Sequence, residues 1–144
     1  MKILIAEDDP MLQTMAGNIM NHWGFDFDIA SNGIEAVEHA QLYDGEYDLC
    51  LMDIDMPVMN GLEATKIIRR KLNYFPIIAL TGNTSVKDKS FEIGMDDFLG
   101  KPYSIQDLHS KINELVIKTY EFKITSDDLS IKKDASDLFG KYGL

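Results

Sequence analysis

Five short apolar runs alternate along the chain with five longer stretches in which apolar residues recur every three or four positions. A continuous or alternating apolar run marks a strand, and a spacing of three or four marks one face of a helix. The runs are "KILIA" (2–6), "FDFDIA" (25–30), "YDLCLMDI" (47–54), "FPIIALT" (75–81) and "DDFLG" (96–100). Pro76 is tolerated at the start of its strand. In the first helical stretch Leu12, Met15, Ile19 and Trp23 follow Pro10, which suits a first turn, and Gly24 stops them. Ile34, Val37 and Ala40 mark a second helix ending near Asp44-Gly45, and Leu62, Thr65, Ile68 and Leu72 a third from Gly61 to Leu72. Ser85 and Asp88 match a capping box opening a fourth helix over 85–94, closed by Gly94, although its apolar pattern is poor. Ile105, Leu108, Ile112 and Leu115 mark a clear final helix.

Strict strand–helix alternation predicts an α/β fold, a five-stranded parallel sheet with five helices on both faces. In open sheets of this kind the working residues lie at the carboxyl ends of the strands, near the topological switch. Four of the five ends carry a chemically useful group: Glu7 and Asp8, then Asp53, then Thr81, then Lys101. The stretch "LCLMDIDMPVMNG" (49–61) runs four apolar residues straight into Asp53 and Asp55. A chain that had only to fold would rarely end a buried strand on two acids.

With 144 residues, one domain with a sizeable core is expected. A net charge of −10 argues against direct nucleic-acid or anionic-membrane binding, and the one dense basic stretch, Lys66 to Lys71, reads as a solvated helix face. Cys50 is the only cysteine and reads as packing in the third strand. No apolar run approaches the ~20 residues that span a bilayer, and "MKILIA" is no signal peptide; a cytoplasmic location is expected. His22, His39 and His109 read as scattered surface positions.

Two carboxylates about 4 Å apart repel by about 4 kcal/mol at an effective dielectric near 20, so Glu7, Asp8 and Asp53 must be neutralised or partly protonated. Mg²⁺ suits such a group, being hard and bound through one or two carboxylates with waters and a phosphate oxygen beside them; Mn²⁺ is a possible substitute. A carboxylate beside a metal and a lysine can attack phosphorus to give an acyl phosphate, with Lys101 and the Thr81 hydroxyl stabilising the phosphoryl oxygens. Asp53, ending the central strand, fits the nucleophile, and Glu7 and Asp8 fit the metal.

The segments "ILIAEDDP", "LMDIDMPVMNG", "ALTG" and "FLGKP" stand in this order and at suitable spacing, and through them residues 1–118 resemble the receiver (CheY-like) domain of bacterial two-component response regulators. The resemblance implies the strand order 2-1-3-4-5 that CheY and flavodoxin share. It makes Asp53 the phosphoacceptor, Asp8 a direct Mg²⁺ ligand, Glu7 an indirect one, and the backbone carbonyl of Asp55 a further ligand. Thr81 and Lys101 become the phosphate-sensing hydroxyl and ammonium, the Lys101-Pro102 peptide is expected to be cis, and Phe98 is the aromatic switch, turning inward as the "TGNTS" loop closes. Asp9, third of the acids in a row, is assigned to capping the first helix.

A sensor histidine kinase or histidine phosphotransfer protein is then the implied phosphate donor, and an unknown target is expected on the helix 4–strand 5–helix 5 face. Such a protein catalyses only its own phosphorylation and dephosphorylation and is no turnover enzyme. The alternative is a haloacid-dehalogenase-type phosphatase with Asp53 as nucleophile, which "LMDID" also resembles, although Met56-Pro57 follows where that family has a small residue. Residues 119–144 read as a tail, a linker or a short helix opened by Ser126-Asp127-Asp128 and carrying Ile131, Ala135, Leu138 and Tyr142. Met1 directly before the first strand points to a stand-alone regulator over the receiver portion of a hybrid sensor kinase.

Overall fold

The computed structural model describes residues 1–126. Its elements run β1 (Lys2–Ala6), α1 (Pro10–Trp23), β2 (Asp26–Ala30), α2 (Gly33–Leu42), β3 (Leu49–Asp53), α3 (Gly61–Lys71), β4 (Ile77–Thr81), a 3-10 turn (Thr84–Val86), α4 (Lys87–Ile93), β5 (Asp97–Gly100) and α5 (Ile105–Ser126). All five strands are parallel, in the order β2-β1-β3-β4-β5. The chain therefore leaves β1 toward one edge and returns to its other side at β3, which puts the topological switch between those two strands.

Side-chain alternation on the strands builds two cores. Leu4, Ala6, Cys50, Met52, Ile77 and Ala79 face α2 and α3, while Ile3, Ile5, Leu49, Leu51, Ile78, Leu80 and Leu99 face α1 and α5. Both faces of the sheet are covered, which is why β3 and β4 are buried along their whole length. Cys50 is fully buried in the first of these cores.

The helix ends follow their local chemistry. Asp9 caps α1, accepting from the backbone N–H groups of Met11 and Leu12, and Gly24 closes it in the left-handed conformation. Asn32 and Asn60 cap α2 and α3 in the same way. The capping box expected at Ser85 and Asp88 is not formed. Asn83 takes the N–H and hydroxyl of Ser85 instead, which winds Thr84–Val86 into a 3-10 turn, and α4 begins behind it with no side-chain cap.

Two other expectations are corrected. Arg69 does not lie on the solvated face: its guanidinium donates to the carbonyls of Gly94 and Phe75 and to Asp96 Oδ2, each at 2.8 Å, stapling α3 to the start of β5. His39 and His109 are half-buried, and the His109 ring packs tilted at 57° against that of Trp23, centroids 4.8 Å apart. The final helix also crosses residue 118 without a break. Leu115 and Val116 are buried, Tyr120 packs on the same core, and no Gly or Pro stands between Asn113 and Ser126 to stop it. The helix expected over Ile131 to Tyr142 lies outside the described residues.

Candidate functional site

Parallel registers bring the strand ends level. Ala6 pairs with Met52, so Glu7 and Asp53 stand side by side one residue further on; Thr81 pairs with Gly100, so Lys101 follows just beyond, its N–H bonding the Thr81 carbonyl at 2.8 Å. Glu7 continues the face of Ile5, Asp53 that of Leu51 and Lys101 that of Leu99, so the three point to the α1/α5 side of the edge. Thr81 continues the face of Ile77 and Ala79 and points to the other.

Lys101 Nζ lies 3.0 Å from Glu7 Oε2 and 3.3 Å from Asp53 Oδ2. Glu7 and Asp53 are only 5% and 6% exposed, whereas Asp8 is open to solvent. Carboxylate oxygens of Glu7, Asp8 and Asp53 all lie within 4.8 Å of one another. One ammonium does not balance three acids. Burial, with help from a hydrogen bond to Glu7, pushes the Asp53 carboxyl up to about 6 against the opposing pull of Lys101. Burial alone would lower the Lys101 ammonium, but Glu7 and then Asp53 outweigh it and leave it raised.

This donor set consists of hard carboxylate oxygens, with no sulfur or imidazole, and it carries excess negative charge. It fits Mg²⁺. The Asp55 carboxylate stands apart from the trio. It accepts from the Thr81 hydroxyl at 3.3 Å, while the Asp55 N–H donates to Asp53 Oδ1, also at 3.3 Å.

Several supporting residues escaped the sequence reading. A Cβ on Gly61 would fall 2.2 Å from the Asp53 carbonyl oxygen, so only glycine lets α3 start directly against the Asp53 backbone. Gln13 reaches back from α1 to the Glu7 carbonyl at 2.6 Å and to Ser31 Oγ at 3.1 Å, fixing the strand end from the side. Val58, in the loop after Asp53, holds φ at +71°, a conformation that a branched side chain rarely adopts. The sequence signal for Gly61 is the "MNG" at 59–61, which ends a segment of the family resemblance and opens the third helix.

The Lys101-Pro102 peptide is cis. Phe98 is 8% exposed, lodged in the α2/α3-side core with Lys87 Nζ 5.9 Å above its ring. Its strand partner is Ala79, whose small side chain leaves room for the ring.

The acid trio and the lysine stand together at the switch point of a 2-1-3-4-5 sheet, the arrangement that the receiver resemblance implies. A family model described as the response regulator receiver domain matches residues 3–113, and the chain belongs to that family. It is 39% identical over 122 residues to hybrid signal transduction histidine kinase B of Dictyostelium discoideum, a match covering 74% of this chain but 6% of the kinase. The chain thus spans a small fraction of that relative's length. Among solved structures it is similar to the receiver domain of a Pseudomonas aeruginosa sensor histidine kinase, which holds a magnesium ion in its active-site cleft (TM-score 0.74, 34% identity, 80% of this chain and 96% of that one). It is also similar to a chain in the Saccharomyces cerevisiae complex of the histidine phosphotransfer protein Ypd1 with the receiver domain of Ssk1 (TM-score 0.73, 30% identity, 83% and 90%). The family match removes the phosphatase alternative. Among the described residues no helix is long and apolar enough to cross a membrane.

Proposed function

We propose that this receiver accepts a phosphoryl group on Asp53 from a phosphohistidine carried by a sensor histidine kinase or a histidine phosphotransfer protein. The observation that carries this is the buried Asp53 carboxyl flanked by Glu7 and Lys101. An Asp53 oxygen attacks phosphorus; the new O–P bond forms as the P–N bond of the donor breaks, and the imidazole nitrogen leaves with the electron pair and is then protonated. Lys101 lies close enough to follow the charge onto a phosphoryl oxygen, releasing Glu7. Glu7, Asp8 and Asp53, with the Asp55 backbone carbonyl, would hold Mg²⁺ or Mn²⁺. When bound, the ion neutralises the acids and draws charge from the phosphoryl oxygens. The protein turns over nothing but its own phosphate.

The readout runs through Thr81. Recruiting its hydroxyl to the phosphoryl group pulls on Asn83, whose N–H it accepts at 3.1 Å, and so on the turn that leads into the uncapped α4. With Phe98 already inside, rearrangement of this loop, rather than entry of the ring, reshapes the α4–β5–α5 face for a target protein in the cytoplasm. Incubation with acetyl phosphate and Mg²⁺, followed by intact-mass measurement, tests the assignment. One added phosphoryl group, labile to hydroxylamine and absent from Asp53→Asn, is the expected result. A phosphoryl group retained on Asp53→Asn, or none on the parent protein, refutes it.

A further inference from the structure

We propose that the Asp55 side chain is a latch that holds the receiver in its unphosphorylated arrangement by occupying the one proton Thr81 can give; this rests on Asp53 being the phosphoacceptor. Thr81 is 1% exposed, and its hydroxyl has two partners. It accepts from the Asn83 N–H at 3.1 Å and donates to Asp55 Oδ2 at 3.3 Å. A hydroxyl carries a single proton, so Thr81 cannot donate to Asp55 and to a phosphoryl oxygen on Asp53 at once. While Asp53 is unmodified, the Asp55 carboxylate, a charged acceptor, is the stronger claimant.

Asp55 is held at this post by its own backbone, whose N–H donates to Asp53 Oδ1. Phosphorylation therefore places two anions on neighbouring side chains in competition for one buried donor, and adds repulsion between them. Whichever anion wins Thr81 also decides where Asn83 sits. Asn83 Oδ1 organises the Thr84–Val86 turn through the Ser85 N–H and hydroxyl, and α4 follows without a cap of its own. A change of partner at Thr81 thus reaches α4 through two consecutive hydrogen bonds. Asp55 acts here as a positioning residue: it sets the threshold at which phosphorylation moves the loop.

Two measurements on the full chain test this. In EDTA, amide hydrogen exchange over residues 82–86 should be faster in Asp55→Ala than in the parent by roughly fivefold, the worth of one ordinary hydrogen bond, since the contact is long at 3.3 Å and its acceptor is exposed. Asp55→Asn, which keeps an acceptor oxygen for Thr81, should fall between. Equal exchange in all three proteins overturns the latch. With Mg²⁺ present, Asp55→Ala should bind beryllium fluoride, a phosphoryl mimic, roughly tenfold more tightly than the parent. In a Thr81→Val background that gain should shrink, because no hydroxyl remains to be released. An undiminished gain in that background would assign the whole effect to charge repulsion and overturn the latch. Should the parent protein neither bind beryllium fluoride nor take phosphate from acetyl phosphate, the phosphoacceptor assignment fails, and the metal-free exchange result still decides the latch.

Discussion

Replacing Asp53 by Asn keeps the shape of the side chain and removes its charge, so it isolates what that charge costs. The folded protein holds the Asp53 proton with a pKa of about 6, against 3.8 for an unconstrained carboxyl. Folding therefore takes up a proton between these values. The parent's stability falls as pH rises through this window, and the penalty is complete above pH 6. At about 1.4 kcal/mol per pH unit, the gap amounts to about 3 kcal/mol at pH 7.5 in the absence of a metal. Lys101 does not lose its anchor in the variant, because Glu7 Oε2 remains 3.0 Å away. Urea unfolding in EDTA at pH 7.5 should thus show Asp53→Asn to be more stable than the parent by about 3 kcal/mol, on the order of 10 °C in Tm. At pH 4.5, where the parent already carries the proton, the gain should shrink to about 1 kcal/mol. Millimolar Mg²⁺ should stabilise the parent and leave the variant nearly unmoved, since an ion bound by the folded state alone adds its binding free energy to stability. A variant no more stable than the parent at pH 7.5, or a gain that ignores pH, would refute the account of a frustrated acid trio.

Gly61→Ala should destabilise the fold by about 2–3 kcal/mol in urea melts, because its Cβ has to displace the Asp53 backbone, and should slow phosphorylation by acetyl phosphate through the same shift; wild-type values for both would contradict the close approach. Arg69→Met should cost about 3 kcal/mol by the same measurement, as it strips three donors from half-buried acceptors and leaves the Asp96 carboxylate without its cation. A cost under about 1 kcal/mol would return Arg69 to the solvated face. Met11 and Met15 stand one turn apart on α1, exposed, immediately after the acids. The double substitution Met11→Asp, Met15→Asp should cut phosphotransfer from a protein donor by roughly tenfold or more while sparing labelling by acetyl phosphate; equal loss with both donors would place the damage in the site itself.

The sheet and its working edge were legible because they depend on periodicity and on strand ends. Strict alternation admits few topologies, and a parallel register levels the carboxyl ends, so Glu7, Asp53 and Lys101 meet for the same reason that Ile5, Leu51 and Leu99 share a core. What stayed hidden was decided by contacts between residues far apart in sequence. Arg69 looks like any helix-surface cation until Asp96, 27 residues on, comes to meet it. Phe98 shows its buried place only when Ala79 is seen beside it on β4. The capping box failed for a local reason: Asn83 stands two residues ahead of Ser85 and claims its N–H first, which leaves Asp88 nothing to complete. The resemblance reaches residue 118, while α5 runs on to Ser126.

The same division explains why the resemblance gives the Asp55 backbone carbonyl a metal-binding role while the sequence assigns none to its side chain. Its position two residues past Asp53 is local and readable. Its partner is not, because it depends on which way Thr81 faces. Thr81 shares the parity of Ile77 and Ala79, so it points away from Glu7 and Lys101 toward the side where Asp55 waits. The hydroxyl assigned to sensing phosphate thus begins bonded to a different anion. Any account of signalling by this protein has to include the free energy of breaking that bond, and the beryllium fluoride affinities of the Asp55 and Thr81 variants measure it directly.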